Sequence, residues 1–256
     1  MINNYFKNNK AIMKTTKLFL TTVMLLGILV LPSCLNDDDD INLAYPNALV
    51  TVKEAADETV FFQLDDNTTL LPENITSHPF NSKEVRALVN YNELDDASGV
   101  YDMAVHVNWI DSIRTKSMAP NMGDQNDDEY GSDPVEIVND WVTIAEDGYL
   151  TLRFRTMWSN MGITHYVNLI PTNNPDNPYE VEFRHDANGD VGGRVGDGLV
   201  AFKLTDLPDT EGETVKLKLV WKSFNGNKSA EFDYRTRFAT PASSAVAAER
   251  SVIPIK

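Results

Sequence analysis

The stretch 49–71, LVTVKEAADETVFFQLDDNTTLL, decides the first half of the fold. Leu49–Lys53 contains the apolar–polar alternation of a β-strand that buries one face. Val60–Leu64 is rich in the β-branched and aromatic residues that strands favour. The polar sequence Asp65-Asp66-Asn67 is typical of a turn, and it returns the chain into a third short strand, Thr68–Leu71. The stretch therefore predicts a small domain built from strands.

Two further strands follow in the same half of the chain. Arg86–Tyr91 (RALVNY) and Met103–Ile110 (MAVHVNWI) again mix apolar and polar positions at the spacing of a strand. Five strands in this length are typical of a small Greek-key barrel of the OB type. We therefore predict an OB-like domain over residues 43–115.

The second half of the chain also has the pattern of strands. Residues 116–134 are acidic and contain two glycines and two prolines, so we interpret them as an interdomain linker. In Val215–Trp221 the apolar residues share one face and the lysines share the other, which is typical of an antiparallel sandwich. We therefore predict an all-β chain whose second domain, over 135–238, is a β-sandwich. Its expected strands are Tyr149–Arg155, His165–Ile170, Tyr179–Arg184, Leu199–Leu204, Val215–Trp221 and Phe232–Phe238.

The N-terminus has the features of a lipoprotein signal peptide. Lysines precede Leu18–Leu31, an uncharged and mostly apolar run that is shorter than the roughly 20 residues needed to cross a bilayer. Leu31-Pro32-Ser33-Cys34 resembles a lipobox, in which cleavage leaves a cysteine that is then lipidated. We therefore expect residues 1–33 to be removed and Cys34 to carry the lipid anchor.

The residues after Cys34 predict a tether and the location of the protein in the cell envelope. Residues 34–42 contain a run of acids that resembles the export signal of some Gram-negative surface lipoproteins, and a solvated tether is the alternative. The run consists of Asp37, Asp38, Asp39 and Asp40. We predict an outer-membrane protein that faces the cell exterior. Residues 239–256 are rich in Ala and Ser, and we interpret them as a flexible tail.

Several longer motifs together resemble one known family. They are LDDNTTL (64–70), RALVNY (86–91), MAVHVNWIDSI (103–113), WVTIAEDGYLTLRF (141–154), HYVNLI (165–170), VEFRHDANGD (181–190) and GDGLVAFKL (196–204). Over residues 43–238 the chain resembles the NigD-like lipoproteins. The resemblance implies an N-terminal OB domain and a C-terminal β-sandwich. It implies no catalytic residues, because the family has no established activity, and it implies an immunity role only through association with a bacteriocin system.

Charge excludes nucleic acid as a partner. The formal net charge is −16, and it becomes −20 once the four lysines of residues 1–33 are removed. The two loops that OB barrels commonly use for binding would be Glu54–Thr59 and Asn92–Asp102, and neither contains Lys or Arg. A single-strand binder needs a basic groove. Neutral, cationic or metallic partners remain.

One loop of the second domain has the spacing of calcium ligands. Asp186, Asn188 and Asp190 place side-chain oxygens at alternate positions, as at the start of a calcium loop. Val191 stands where an EF-hand requires glycine. The same sequence, with Asn188-Gly189 at its centre, is that of a hairpin turn, which we favour. No cofactor other than calcium is indicated.

The tryptophans and the lack of known catalytic motifs favour a binding role over an enzymatic one. Trp158 lies in a predicted turn, where we expect it either to be exposed and contact a protein or glycan, or to cover the end of the sandwich. Trp109, Trp141 and Trp221 are expected in the core. The sequence lacks the G-x-S-x-G, H-E-x-x-H, P-loop and C-x-x-C motifs.

These features together predict a non-catalytic role. We expect a surface-exposed lipoprotein that acts as a binding or accessory module for an envelope protein or glycan. Two alternatives stay open: an envelope immunity-type protein, and a hydrolase that uses two acidic side chains. The second would require two carboxylates to converge in one pocket.

Overall fold

The computed structural model describes residues 43–237, and these form one compact unit. The predicted signal peptide, Cys34, the tether with Asp37–Asp40, and the predicted tail 239–256 lie outside the described residues. Nearly all regular structure between residues 43 and 237 is β-strand, as the sequence predicts. No helix in this part of the chain is long and apolar enough to cross a membrane.

The first domain is a closed five-stranded barrel. Its strands pair in the order β1-β2-β3-β5-β4, and β4 closes the barrel on β1. The strand count and the barrel confirm the OB-type prediction. The strands are β1 (Ala48–Glu54), β2 (Val60–Gln63), β3 (Thr69–Pro72), β4 (Val85–Leu94) and β5 (Met103–Ser112).

Strand β1 is buried on both faces for six of its seven residues. Val50 and Val52 point into the barrel core together with Phe62 and Leu70. Their neighbours of opposite orientation are also buried, although one of them, Lys53, carries a charge. A strand on an open barrel wall would leave that second face in water. The second domain covers it instead.

The second domain is a sandwich of two sheets. One has the order β10-β11-β13-β14 and the other β6-β12-β9-β7, with β8 paired to β9. Most pairs are antiparallel, but β11 with β13 and β6 with β12 are parallel. The strands are β6 (Arg114–Ser117), β7 (Glu136–Ile137), β8 (Ile144–Glu146), β9 (Tyr149–Trp158), β10 (Tyr166–Pro171), β11 (Glu180–Asp186), β12 (Arg194–Lys203), β13 (Val215–Ser223) and β14 (Gly226–Tyr234).

The segment 116–134, which we predicted to be a linker, is built into the sandwich. Its first two residues end β6, which pairs with β12. A single 3₁₀ turn (Gly123–Gln125) and a short helix α1 (Asn126–Tyr130) follow, and buried Tyr130 donates a hydrogen bond to the Pro120 carbonyl at 2.9 Å. Only Ile113 separates β5 from β6. The prolines and glycines here shape turns that pack on the sheet.

Strand β14 begins six residues earlier than predicted. It runs over Gly226–Tyr234 rather than Phe232–Phe238, and it forms a tight hairpin with β13 in which Ser223 pairs with Gly226. Gly226 has a φ of 99°, which favours glycine. Most side chains of the first part of β14 are exposed and polar. They therefore carry no apolar alternation that could reveal a strand.

The tryptophans differ from one another in burial. Trp221 is buried in the sandwich core as predicted. Trp109 is half-buried, and its Nε1 donates to the Leu43 carbonyl at 2.7 Å. The core prediction is wrong for Trp141, whose side chain is 53% exposed. It precedes β8 in a loop, where only its neighbour Val142 enters a core.

An apolar cluster and buried ion pairs join the two domains. The apolar cluster combines residues of both domains: Leu49, Ile113, Val142, Tyr149 and Ala201. Beside it, fully buried Arg86 donates to Thr51 Oγ1 at 3.0 Å and pairs with Glu146 of the sandwich. Lys53 Nζ lies 2.9 Å from Asp147 Oδ1. The barrel and the sandwich are therefore packed against each other through a buried polar interface.

Candidate functional site

Two loops meet at the end of the sandwich that lies farthest from the barrel. Strand β9 starts at the domain junction with Tyr149 and ends nine residues later at Trp158. At about 3.3 Å per residue, that end is about 30 Å from the junction. We call residues 158–166 and 187–196 the distal loop cluster. Both the predicted contact residue Trp158 and the predicted ligand Asp190 lie in it.

Asp190 ties the two loops together. Its carboxylate accepts hydrogen bonds from the Ser159 amide at 3.0 Å and the Asn160 amide at 3.1 Å, and also from the Ser159 hydroxyl. His165 Nε2 lies 3.3 Å from the same carboxylate. The Ser159 hydroxyl and the backbone amides lower the pKa of Asp190 to about 2. Asp190 is therefore ionised at neutral pH and holds the loop 159–165 in place.

A pair of histidines continues this network into the sandwich. His165 Nδ1 lies 2.9 Å from Nε2 of His185, whose side chain is buried. Since Asp190 is ionised, His165 Nε2 carries the proton that this carboxylate accepts. Burial, and next the neighbouring His165, lower the pKa of His185 to about 4. His185 is therefore neutral at pH 7.

Trp158 closes the end of the sandwich and is half-buried. Its ring stacks on His165 with centroids 3.8 Å apart and planes 23° apart. A Cβ atom at Gly196 would lie 2.8 Å from the indole Nε1, so only glycine allows this close approach. The expectation of an exposed Trp158 is therefore wrong. The alternative, a residue that covers the open end, describes its position.

The residues predicted as calcium ligands form a hairpin turn. Asn188 and Gly189 have φ values of 51° and 81°, and the Asp190 amide donates to the Ala187 carbonyl at 2.9 Å. Asp186 Oδ1 accepts from the Asn188 amide, whereas the Asp190 carboxylate binds the other loop. Within residues 43–237, no three His, Cys, Asp or Glu side chains are grouped to hold a metal ion.

The distal loop cluster exposes several apolar side chains beside polar ones and Arg194. The Met161 side chain is fully exposed, and the side chains of Tyr166, Val191 and Val195 are each more than half exposed. Sequence reasoning missed all four of these residues. The signal was present in 191–198, VGGRVGDG, because two valines in a glycine-rich stretch are unusual unless they are buried or bind something.

The arrangement is suited to holding a surface in place rather than to nucleophilic chemistry. The Ser159 hydroxyl donates to Asp190 and not to a histidine, so it lacks the base that would activate it. Both nitrogens of His165 are occupied by His185 and Asp190. The cluster presents exposed apolar side chains, together with polar ones and Arg194, on loops that the buried Asp190 carboxylate holds in place.

The His185 pKa makes the stability of the fold sensitive to acid. An unfolded histidine takes up a proton near pH 6.5, whereas folded His185 does so only near pH 4, so the unfolded state binds more protons between these values. We expect the free energy of unfolding to fall by about 3 kcal/mol as pH drops through this window. Urea unfolding at several pH values measures it.

The matched variants for this prediction are His185→Gln and His106→Gln. The first should have a shallower pH dependence than the wild type, because it removes the group that titrates. The second controls for the substitution itself, at a partly exposed histidine that is bonded to Glu73 on the surface. Equal slopes for all three proteins would contradict the assignment.

Comparisons with known proteins agree with both domains. The profile of the NigD-like N-terminal OB domain matches residues 49–113, and that of the NigD-like C-terminal beta sandwich domain matches residues 117–234. A crystal structure from Parabacteroides distasonis ATCC 8503, provisionally described as that of a toxin-related protein, is 35% identical. The match covers 81% of this chain and 98% of that one, with a TM-score of 0.61.

Two other crystal structures share the fold at lower identity. One is of a protein of unknown function from Bacteroides vulgatus ATCC 8482, with 21% identity, a TM-score of 0.60 and coverage of 77% of this chain and 97% of that one. The other is of a NigD-like immunity protein from Bacteroides caccae ATCC 43185, with 20% identity, a TM-score of 0.53 and coverage of 73% and 96%. A comparison with curated proteins finds no match. On the two domain matches and the 35% identity, the chain belongs to the NigD-like family.

Proposed function

We propose that this protein is a non-catalytic, lipid-anchored binding module that holds a protein partner at the distal loop cluster. The observation that carries the proposal is the set of exposed apolar side chains, led by Met161, on loops that a buried network holds in place. Exposed apolar side chains that lie together on a surface are typical of interaction sites.

Rigidity of the loops supports binding. Association costs free energy when flexible loops must be ordered, and a preorganised surface avoids that cost. Here the Asp190 carboxylate and the Trp158–His165 stack fix both loops before any partner arrives. The exposed apolar side chains therefore form a surface that is ordered before it binds.

A protein fits this surface better than a glycan. Aromatic rings that bind sugars offer an open face for stacking. One face of Trp158 is covered by His165, and Gly196 packs closely against the ring. Of the exposed apolar side chains of the cluster, only Tyr166 is aromatic. The net charge of −16 favours a neutral or cationic partner.

The anchor restricts where the partner is found. Lipidated Cys34 would hold the body at a membrane, and residues 34–42 would extend at most about 30 Å from it. Together with Asp37–Asp40, this favours the outer face of the outer membrane. The partner would then be another envelope protein or a protein that arrives from outside the cell.

A bacteriocin-type toxin is the second candidate for the partner. The relative with 35% identity is provisionally described as toxin related, and the protein from Bacteroides caccae as an immunity protein. A module that captures a toxin at the cell surface needs an exposed, preformed docking surface and no catalytic machinery. The distal loop cluster would supply such a surface.

Photo-cross-linking on living cells tests the proposal. A light-activated phenylalanine analogue replaces Met161 in the full-length lipoprotein, and Asn227, exposed on the β13–β14 hairpin, is replaced in a control. We expect a discrete cross-linked product at position 161 and not at position 227. Mass spectrometry of the product identifies the partner and reads the N-terminus, where lipidated Cys34 is expected.

The variant Trp158→Ala tests whether the network matters for binding. Loss of the stack on His165 should loosen the loops and reduce cross-linking at position 161 roughly tenfold, which corresponds to about 1.4 kcal/mol of binding free energy. The same products at both positions would contradict the proposed surface. A free Cys34 thiol behind an uncleaved N-terminus would contradict the anchor.

A further inference from the structure

A cavity of about 390 Å³ lies beside the domain junction, far from the distal loop cluster. Its volume falls within the range of small-molecule sites in proteins. Six of its lining residues carry the inference: Glu84, Tyr149, Lys203, Leu207, Tyr234 and Arg237. They come from the end of the barrel, from β9, from β12 and the turn after it, and from the end of β14.

Most charges at this junction are neutralised in pairs. Lys53 lies 2.9 Å from Asp147, and Arg237 lies 2.8 Å from Glu84. Buried Arg86 is paired with Glu146. The three cations named so far therefore each have a carboxylate.

Lys203 differs from these three cations because it has no carboxylate partner in the described part of the chain. Its Nζ lies 6.0 Å from the centre of the Tyr149 ring, and no carboxylate between residues 43 and 237 lies within ion-pair distance of it. A cation–π contact of this kind contributes about 0.5–2 kcal/mol and leaves the positive charge available to an anion. Of the four junction cations named here, Lys203 is therefore the one without a carboxylate partner among the described residues, in a chain whose net charge is −16.

Part of the remaining cavity wall is apolar or aromatic, and Glu84, Arg237 and two threonines form the rest. Leu204, Leu207 and Tyr234 are buried and present their side chains beside the cavity. The Tyr149 hydroxyl donates to Glu84 at 2.5 Å, and burial together with Glu84 raises the pKa of Tyr149, so the phenol stays neutral. A ligand here would meet the unpaired ammonium of Lys203, the paired Arg237 and Glu84, and several apolar surfaces.

We propose that this cavity binds a small organic anion with an apolar or aromatic body, with its acidic group on Lys203. The body of the ligand would lie against Leu207 and Tyr234. An anion would be favoured over a cation, because the carboxylates of Glu84 and Asp147 already accept hydrogen bonds from Arg237 and Lys53. This site is separate from the proposed protein-binding surface and does not depend on it.

Two probes of equal size and opposite charge test the proposal on the intact protein in detergent. Phenylacetate is the anionic probe and phenethylamine is the cationic one. We expect phenylacetate to bind at millimolar concentration in a calorimetric titration and to raise the melting temperature, and phenethylamine to do neither. Binding of phenethylamine with equal affinity, or no binding of phenylacetate, would overturn the proposal.

Three variants locate the binding. Lys203→Met should weaken phenylacetate binding at least tenfold, whereas Lys216→Met, at an exposed lysine paired with Asp233, should leave it unchanged. Thr205→Trp places a large side chain at an exposed position on the cavity wall and should also abolish binding. Undiminished binding to both the Lys203 and the Thr205 variants would show that the anion binds elsewhere.

Discussion

Replacing Arg86 with methionine is expected to lower the free energy of unfolding by about 3–5 kcal/mol, the cost of breaking a buried ion pair by removing one partner. The Arg86 side chain is 0% exposed. Its guanidinium donates to Thr51 Oγ1 at 3.0 Å and to Thr151 Oγ1 at 3.4 Å, and it pairs with Glu146. All of these groups would lose their partner inside the junction.

The pH dependence of the Arg86→Met variant gives a second readout. Burial already raises the pKa of Glu146 although Arg86 opposes the rise. Without Arg86 that pKa should rise further, so the folded variant gains stability relative to the wild type as pH falls and Glu146 takes up a proton. The difference between the two proteins should therefore shrink in acid. Urea unfolding at two pH values measures both effects.

Arg155→Met is the matched control for this prediction. Arg155 is 46% exposed and binds Asp197 on the sandwich surface, with Nε 2.6 Å from Oδ1. Exposed pairs of this kind contribute about 0–1 kcal/mol. Similar losses for the two variants would mean that the junction is not held by its buried charges.

Gly193→Ala is expected to disrupt the distal loop cluster. Gly193 has a φ of 89°, which an alanine adopts only with strain. A Cβ atom there would also lie 2.5 Å from Ser159 Cα and clash with the Trp158 carbonyl, and backbone atoms cannot move aside as a side chain can. We expect a loss of about 2–5 kcal/mol in unfolding free energy, from backbone strain and overpacking together.

The neighbouring glycine provides the control for this prediction. A Cβ atom at Gly192 would meet nothing within 4 Å, and its φ is not in the left-handed region. Gly192→Ala should therefore change the unfolding free energy by no more than about 0.5 kcal/mol. If both alanine variants were equally stable, the loops would not be held as tightly as the contacts around Ser159 require.

The strand-rich fold could be predicted because its strands bury one face and expose the other. In β13 the residues Leu217, Leu219 and Trp221 are buried while Lys216 and Lys222 are exposed, as the alternation predicts. The barrel strands were predicted from alternation and from their β-branched and aromatic residues, although β1 and β2 are buried on both faces. Local pattern suffices where each residue's environment follows from its place in a strand.

The errors lie where distant parts of the chain decide the environment. The polar first half of β14 forms a strand because it pairs with β13. The segment 116–134 is ordered because its first residues pair with β12 and the rest packs on the sandwich. Trp141 was expected in the core, but its loop leaves it exposed. None of these contacts leaves a local signal in the sequence.

Two residues of the candidate site were singled out from the sequence, but not for the roles that they have in the structure. Trp158 was singled out as an aromatic residue in a turn, and Asp190 as a calcium ligand. Their connection depends on His165, which stacks on the first and bonds to the second. Asp190 and Ser159 are 31 residues apart, so no spacing rule links them.

The central claim is that the ordered distal loops form the surface that meets the partner. Photo-cross-linking at position 161 on living cells, repeated in the Gly192→Ala and Gly193→Ala proteins at equal surface abundance, tests it most directly. We predict that the cross-linked product persists in the first protein and is lost in the second. An undiminished product in the Gly193→Ala protein would contradict the account.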